Sequence, residues 1–226
     1  MTAISPDDIA RLACDGRVER VARRAIVPLD GPLEGLEAPL VRIVTEGWFR
    51  IFRNAAFVRD VTLVLAGPGE ILAPGAAFGD RSAESGAEAI TGGALLAVAG
   101  ETLARHAAAT PGLYVAIARS LARRTLAVQR KLEAFSRAPV AARVAGALVE
   151  LAETAGVPLA DGSVRLDLPL AQDDLAALAG TTRESCSAAV AALARRGLVR
   201  GSRLRGLVLV DPAGLAGLSS VDLRTP

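Results

Sequence analysis

Leu170-Ala171-Gln172-Asp173-Asp174-Leu175-Ala176-Ala177-Leu178-Ala179-Gly180, followed directly by Thr181-Thr182-Arg183-Glu184-Ser185-Cys186-Ser187-Ala188-Ala189-Val190, is the stretch on which the fold turns. In its first half Leu175, Leu178 and Ala179 stand at i, i+3, i+4, the spacing of a short amphipathic helix, and Gly180 stops it. After a brief turn a second helix runs to Arg196-Gly197, with Cys186, Ala189, Val190 and Leu193 as its inward stripe. Arg183, Glu184, Ser187 and Ala188 are left pointing outward near its N-terminus. Helix, glycine turn, helix is the unit that lets one helix brace another in a DNA major groove. Downstream, Leu198-Val199-Arg200 and the run from Gly206 to Val210 are β-rich and flank Gly201-Ser202-Arg203-Leu204-Arg205, which reads as a wing. The segment is predicted to be a winged helix-turn-helix.

Charge agrees locally. Thr181 to Gly206 holds six arginines (Arg183, Arg195, Arg196, Arg200, Arg203, Arg205) against one acid, Glu184, in a chain whose formal net charge is only +2. A phosphate backbone is met by such a concentration of cations. Arg195, Arg196 and Arg200 equally fit a solvated helix end favoured by the dipole. Arg183 and Glu184 have the chemistry of base readout, since Arg bonds guanine bidentately and Glu accepts from cytosine N4. Glu184 also fits a capping box with Thr181.

Working outward, Ser5-Pro6-Asp7-Asp8 predicts a helix start, with Ser5 as cap and Pro6 in the first turn. From Val18 to Val98 short apolar runs (18–21, 40–44, 48–52, 61–65, 95–98) are broken by Gly, Pro and Asp, the pattern of a β-sandwich or roll. The period then changes. Between Pro111 and Phe135, Ile117, Leu121, Val128, Leu132 and Phe135 recur at 4, 7, 4 and 3, a coiled-coil-like seam that predicts a dimer interface between two copies. The alternative is a helix lying on its own roll. Pro139 ends this helix, and Val140, Val144, Leu148 and Leu151 mark the next. The fold class is α+β, with a β-roll over 1–110, a dimerisation helix over 111–136 and a winged helix-turn-helix over 137–226. Asp211-Pro212 opens a C-terminal tail.

At 226 residues and 51% hydrophobic content the chain can bury a core. With 3% aromatics that core is Leu, Val and Ala. Cys14 and Cys186 offer no disulfide framework and suit a reducing compartment. No signal-peptide pattern and no apolar run near about 18 residues is present, so a soluble, cytoplasmic protein without a membrane partner is expected. The only histidine is His106, and no nucleophile motif or glycine-rich phosphate loop accompanies it, which argues against an enzyme. Two cysteines cannot supply the four thiolates of an iron–sulfur cluster. No metal or cofactor is expected.

Roll, long helix, hinge and winged helix-turn-helix, in that order, resemble the Crp/Fnr family of bacterial transcription regulators. The resemblance is carried by Pro111-x-Leu113, Ala122-Arg123-Arg124, Arg143-Val144-Ala145 and, most specifically, Gly180-x-Thr182-Arg183-Glu184. It implies a homodimer on double-stranded DNA, with RNA polymerase as a further partner. Arg183 and Glu184 would contact bases. Gln172, Thr182 and Ser185 would hold phosphate or the helix start, Ser187 would lie on the same face, and Arg203 and Arg205 would touch phosphates from the wing. Ala188 stands where the family often has a second base-reading arginine. Members that bind cyclic AMP carry Gly-Glu and then Arg-Ser-Ala. Counting back from Leu95 puts Ala73-Pro74 and Ala83 at those positions, and the spelled motif Arg81-Ser82-Ala83 is two residues out of register. Val128-Gln129 replaces the Thr-Ser that would meet adenine. The expectation is therefore a regulator independent of cyclic AMP. One alternative is the same fold gated by another small ligand, such as a haem-bound gas or a metabolite. Another is a winged domain that serves protein contacts.

Overall fold

The computed structural model describes residues 4–29, 33, 35, 36, 39–55, 58–72, 74–78, 85–201 and 206–220. The chain divides into two compact units, Met1–Ala127 and Val128–Pro226, with the division inside its longest helix.

The first unit opens with α1 (Pro6–Ala13), whose start follows the sequence pattern. Ser5 accepts from the Asp8 N–H at 3.1 Å and donates to its carboxylate at 2.6 Å. Seven strands follow: β1 (Arg17–Val21), β2 (Ile26–Pro28), β3 (Leu40–Glu46), β4 (Phe49–Ala55), β5 (Val58–Ala66), β6 (Ser85–Ala89) and β7 (Gly93–Ala99). They form two antiparallel sheets, β1-β7-β3 and β2-β6-β4-β5. Phe49, Ile51, Val41, Ile43, Leu95, Leu96 and Val98 belong to one buried cluster of this unit, where each large apolar side chain contributes about 1.5–3 kcal/mol. Among the described residues of the roll the buried charges, Arg42 and Glu88, are paired, as burial requires. Arg42 donates to Glu19 at 2.9 Å, and Glu88 accepts from Arg24 at 3.0 Å and from Arg50 at 2.6 Å.

Two helices follow the roll. On α2 (Gly100–Ala109), His106 meets Asp15 at 2.8 Å and so ties this helix to the end of α1. α3 (Pro111–Arg137) is the long helix. Its two faces differ. Leu113 and Ile117 are fully buried in the first unit's core and Leu121 packs partly on it. Ile117 is thus covered by its own chain, and its assignment to an intersubunit seam is corrected in favour of a helix lying on its own roll, with Leu121 half-buried on the same side. Val128 is half-buried, while Leu132 is 65% exposed. The turn of α3 is 3.6 residues, so 113, 117 and 121 share one side while Val115, Ala118, Ala122 and Leu126, all exposed, share the other. Arg123 and Arg124 fasten α3 to the turn after β5. Arg123 bonds Glu70 at 2.7 Å, and Arg124 donates to the Ile71 carbonyl at 3.1 Å. Burial pushes the Arg124 guanidinium down to about 10, against the opposing charge of Glu70.

The second unit contains α4 (Val140–Ala155), β8 (Gly156–Pro158), β9 (Val164–Leu166), α5 (Gln172–Leu178), α6 (Arg183–Arg195), β10 (Val199–Arg200), β11 (Val208–Leu209) and α7 (Pro212–Ser220). The strands pair in the order β10-β11-β9-β8. α4 begins after Pro139 and packs on α5, α6 and α7 through Val144, Ala145, Leu148 and Leu151. Within the C-terminal tail, Pro212–Ser220 form a helix. Asp211 accepts from the Gly214 N–H at 2.8 Å and Pro212 holds the first turn, the same start used by α1. Among the described residues no helix is long and apolar enough to cross a membrane, and no group of three His, Cys, Asp or Glu residues is arranged to hold a metal.

Candidate nucleic-acid interface

α5 ends because Gly180 adopts a left-handed conformation, φ +58°. The Thr181 N–H then reaches back to the Ala176 carbonyl at 2.9 Å, closing a Schellman turn. A long-range clamp holds that turn. Arg143 on α4 donates to the carbonyls of Ala179 (3.1 Å), Gly180 (3.2 Å) and Ala138 (3.3 Å), and its guanidinium lies 5.7 Å from the Phe135 ring centre. Phe135 packs over Gly180 so closely that a Cβ there would fall on the ring. Phe135 therefore has a partner inside its own unit, which the seam reading did not include.

α6 starts one residue later than the Thr181 box requires. Thr182 is the cap, accepting from the Ser185 N–H at 3.3 Å and donating to the Ser185 hydroxyl at 3.2 Å. Cys186, Ala189, Val190 and Leu193 are buried against the rest of the unit, as the spacing predicts. Burial, with a smaller contribution from Asp173, pushes the Cys186 thiol up to about 11. It is a protonated core residue at neutral pH. The opposite face of the first turns presents Arg183, Glu184, Ser185 and Ala188, all exposed, with Ser187 half-buried beside them.

Gln172 opens α5 next to this face. Its amide oxygen accepts from the Ser187 hydroxyl at 2.7 Å, which leaves the amide N–H groups as donors. One residue on, Asp173 stands 3.8 Å from Arg183. The predicted site residues Gln172, Thr182, Arg183, Glu184, Ser185 and Ser187 are thus brought onto one surface. Arg195, Arg196 and Arg200 are also exposed at the far end of α6 and on β10. Arg203 and Arg205 lie outside the described residues, as do Gly79-Asp80, Arg81-Ser82-Ala83 and Ala73 of the roll. The sequence reading missed Asp173 and Arg143. Asp173 looks like an ordinary N-terminal helix acid, and the partners of Arg143 lie 36 and 37 residues away.

A helix with an exposed polar first turn, capped, braced from behind and followed by a small sheet, has the geometry of a recognition helix in a winged domain. Comparison with known proteins agrees. Residues 142–218 match the Crp-like helix-turn-helix domain. The chain is 30% identical over 180 residues to the cyclic AMP receptor protein of Thermus thermophilus, an alignment covering 79% of this chain and 80% of that one. It is 28% identical over 183 residues to a CRP-like cAMP-activated global transcriptional regulator of Mycobacterium tuberculosis, covering 78% and 81%. Among solved structures, a Crp/Fnr-family transcriptional regulator from Thermus thermophilus superposes with TM-score 0.66 at 26% identity, over 90% of this chain and 98% of that one. A CooA double mutant from Carboxydothermus hydrogenoformans shares the fold, with TM-score 0.76 at 20% identity over 93% and 90%. From the two antiparallel sheets of the first unit, through the long helix, to the helix-turn-helix of the second, the chain belongs to the Crp/Fnr family of transcription regulators.

Proposed function

We propose that the protein binds DNA as a homodimer on an inverted repeat and does so without cyclic AMP. The observation that carries the reading is the first turn of α6, where Arg183 and Glu184 project into solvent while Cys186, Ala189 and Val190 anchor the helix behind them. Arg183 bonds guanine through O6 and N7, and Glu184 accepts from cytosine. Gln172, Thr182, Ser185 and Ser187 meet the backbone or the edge of the site, and Arg203 and Arg205 add phosphate contacts from the wing. Ala188 leaves the neighbouring base unread by a long side chain.

The dimer seam runs along the exposed side of α3, through Val115, Ala118, Ala122 and Leu126, with Leu132 flanking. These apolar groups would otherwise stay in water. RNA polymerase in the cytoplasm is the protein partner such a regulator meets at a promoter.

Independence from cyclic AMP is supported by the residues at the effector positions. Pro74 stands where a Gly-Glu pair is needed, and Glu70 is engaged by Arg123 at 2.7 Å and by the Gly67 N–H at 2.9 Å.

Selection of bound duplexes from a random pool tests the reading and yields the operator. An inverted repeat with half-sites about 34–36 Å apart is expected. Arg183→Ala should then lose roughly 1–3 kcal/mol per half-site on that operator and relax preference at one base pair. Equal losses on operator and scrambled DNA would make Arg183 a phosphate clamp instead.

A further inference from the structure

Two acids open α5, and they do different things. Asp174 is buried and accepts from the Ala171 N–H at 2.7 Å, closing the helix start. Asp173 is exposed and stands outside that cap. Helix-dipole stabilisation accounts for an acid in a first turn, but not for its position opposite the base-contacting face of the next helix. Its Oδ2 lies 3.8 Å from Nη1 of Arg183, with the two side chains 63% and 60% exposed. One turn along α6, Ser187 is bonded to the neighbouring Gln172 at 2.7 Å. The first two residues of α5 are therefore tied to α6 at 183 and 187, and the charge of Asp173 is felt as far in as Cys186. A carboxylate on a surface that approaches phosphates weakens binding to every sequence unless a cation holds it.

We propose that Asp173 is a specificity-determining residue that acts through Arg183. On a cognate half-site Arg183 keeps Nη1 toward Asp173 and presents its remaining N–H groups to guanine, so both charges stay paired. On other sequences Arg183 has two options. It stays with Asp173 and forgoes the DNA, or it swings to a phosphate and leaves the carboxylate unpaired against the backbone. Either way non-cognate binding is penalised more than cognate binding, a repulsive element that raises discrimination. The inference rests on the base-reading role proposed above for Arg183.

The experiment is a double-mutant cycle on the full-length protein. Dissociation constants are measured for the selected operator and a scrambled duplex, for wild type, Asp173→Asn, Arg183→Ala and the double variant, with circular dichroism to check folding. Asp173→Asn should tighten scrambled DNA by about threefold to tenfold and the operator by less than about twofold, so the ratio falls. In the Arg183→Ala background the same change should tighten both duplexes alike. If Asp173→Asn tightens both equally with Arg183 present, Asp173 is a plain repulsive charge and the inference is overturned. If Arg183→Ala itself leaves the operator-to-scrambled ratio unchanged, the base-reading assignment fails, and this inference with it, whatever Asp173→Asn does.

Discussion

Gly180 shows how much rests on a single residue. Its left-handed backbone ends α5, lets Thr181 close the turn and brings a bare Cα under the Phe135 ring, while Arg143 holds the carbonyls on either side. An added methyl group meets both objections together, a backbone conformation that side chains disfavour and an aromatic ring already in its place. Gly180→Ala should therefore destabilise the second unit by more than about 1–3 kcal/mol. Urea unfolding would show the lower midpoint, and operator affinity should fall with it because the start of α6 shifts. An unchanged midpoint would mean that the ring has room to move. Two residues on, the polar start of α6 is legible in the sequence, but the choice of Thr182 over Thr181 as cap depends on where this clamped turn releases the chain.

α3 has two apolar sides, one packed and one exposed. Leu113, Ile117 and Leu121 serve the roll of their own chain, whereas Val115, Ala118, Ala122 and Leu126 are exposed. Substitutions on the two sides should have opposite signatures. Ile117→Ala removes buried methylene groups and should cost about 2–5 kcal/mol in unfolding free energy while leaving association intact. Leu126→Asp changes nothing in the roll but buries an unpaired charge in the proposed seam. It should sediment as a monomer with a nearly unchanged melting temperature, and a dimer of unaltered strength would remove Leu126 from the interface.

For the whole molecule, affinity should depend on salt and not on cyclic AMP. Cations on α6 and the wing release counterions on binding, so the logarithm of affinity should fall linearly with the logarithm of salt concentration. Arg203→Ala and Arg205→Ala should each flatten that slope by about one charge on cognate and scrambled DNA alike. Calorimetry with cyclic AMP should give no heat of binding, and the operator titration should be the same with and without it. Micromolar binding would return Arg81-Ser82-Ala83 to the role it has in members of the family that respond to the nucleotide.

Local chemistry was sufficient for much of this. A left-handed glycine, a hydroxyl cap and an i, i+3, i+4 stripe are short-range features, so α5, α6 and the buried set Cys186, Ala189, Val190 and Leu193 can be read directly from the order of residues. The same grammar stands at Asp211-Pro212, where a helix follows. Strands β2 and β6 carry no comparable signal. Ile26–Pro28 and Ser85–Ala89 are short runs, the latter of small residues apart from Glu88, and they become strands because β6 pairs with β4 on one side and β2 on the other. Spacing also cannot say which stripe of α3 faces its own roll, because a period of about 3.5 fits either side of one helix. Packing decided that, by burying Ile117 and leaving Val115 in water. Only tertiary structure brings Arg143 to the turn at Gly180 and Asp173 to Arg183, since these contacts join separate helices and their energy exists only once the helices are packed.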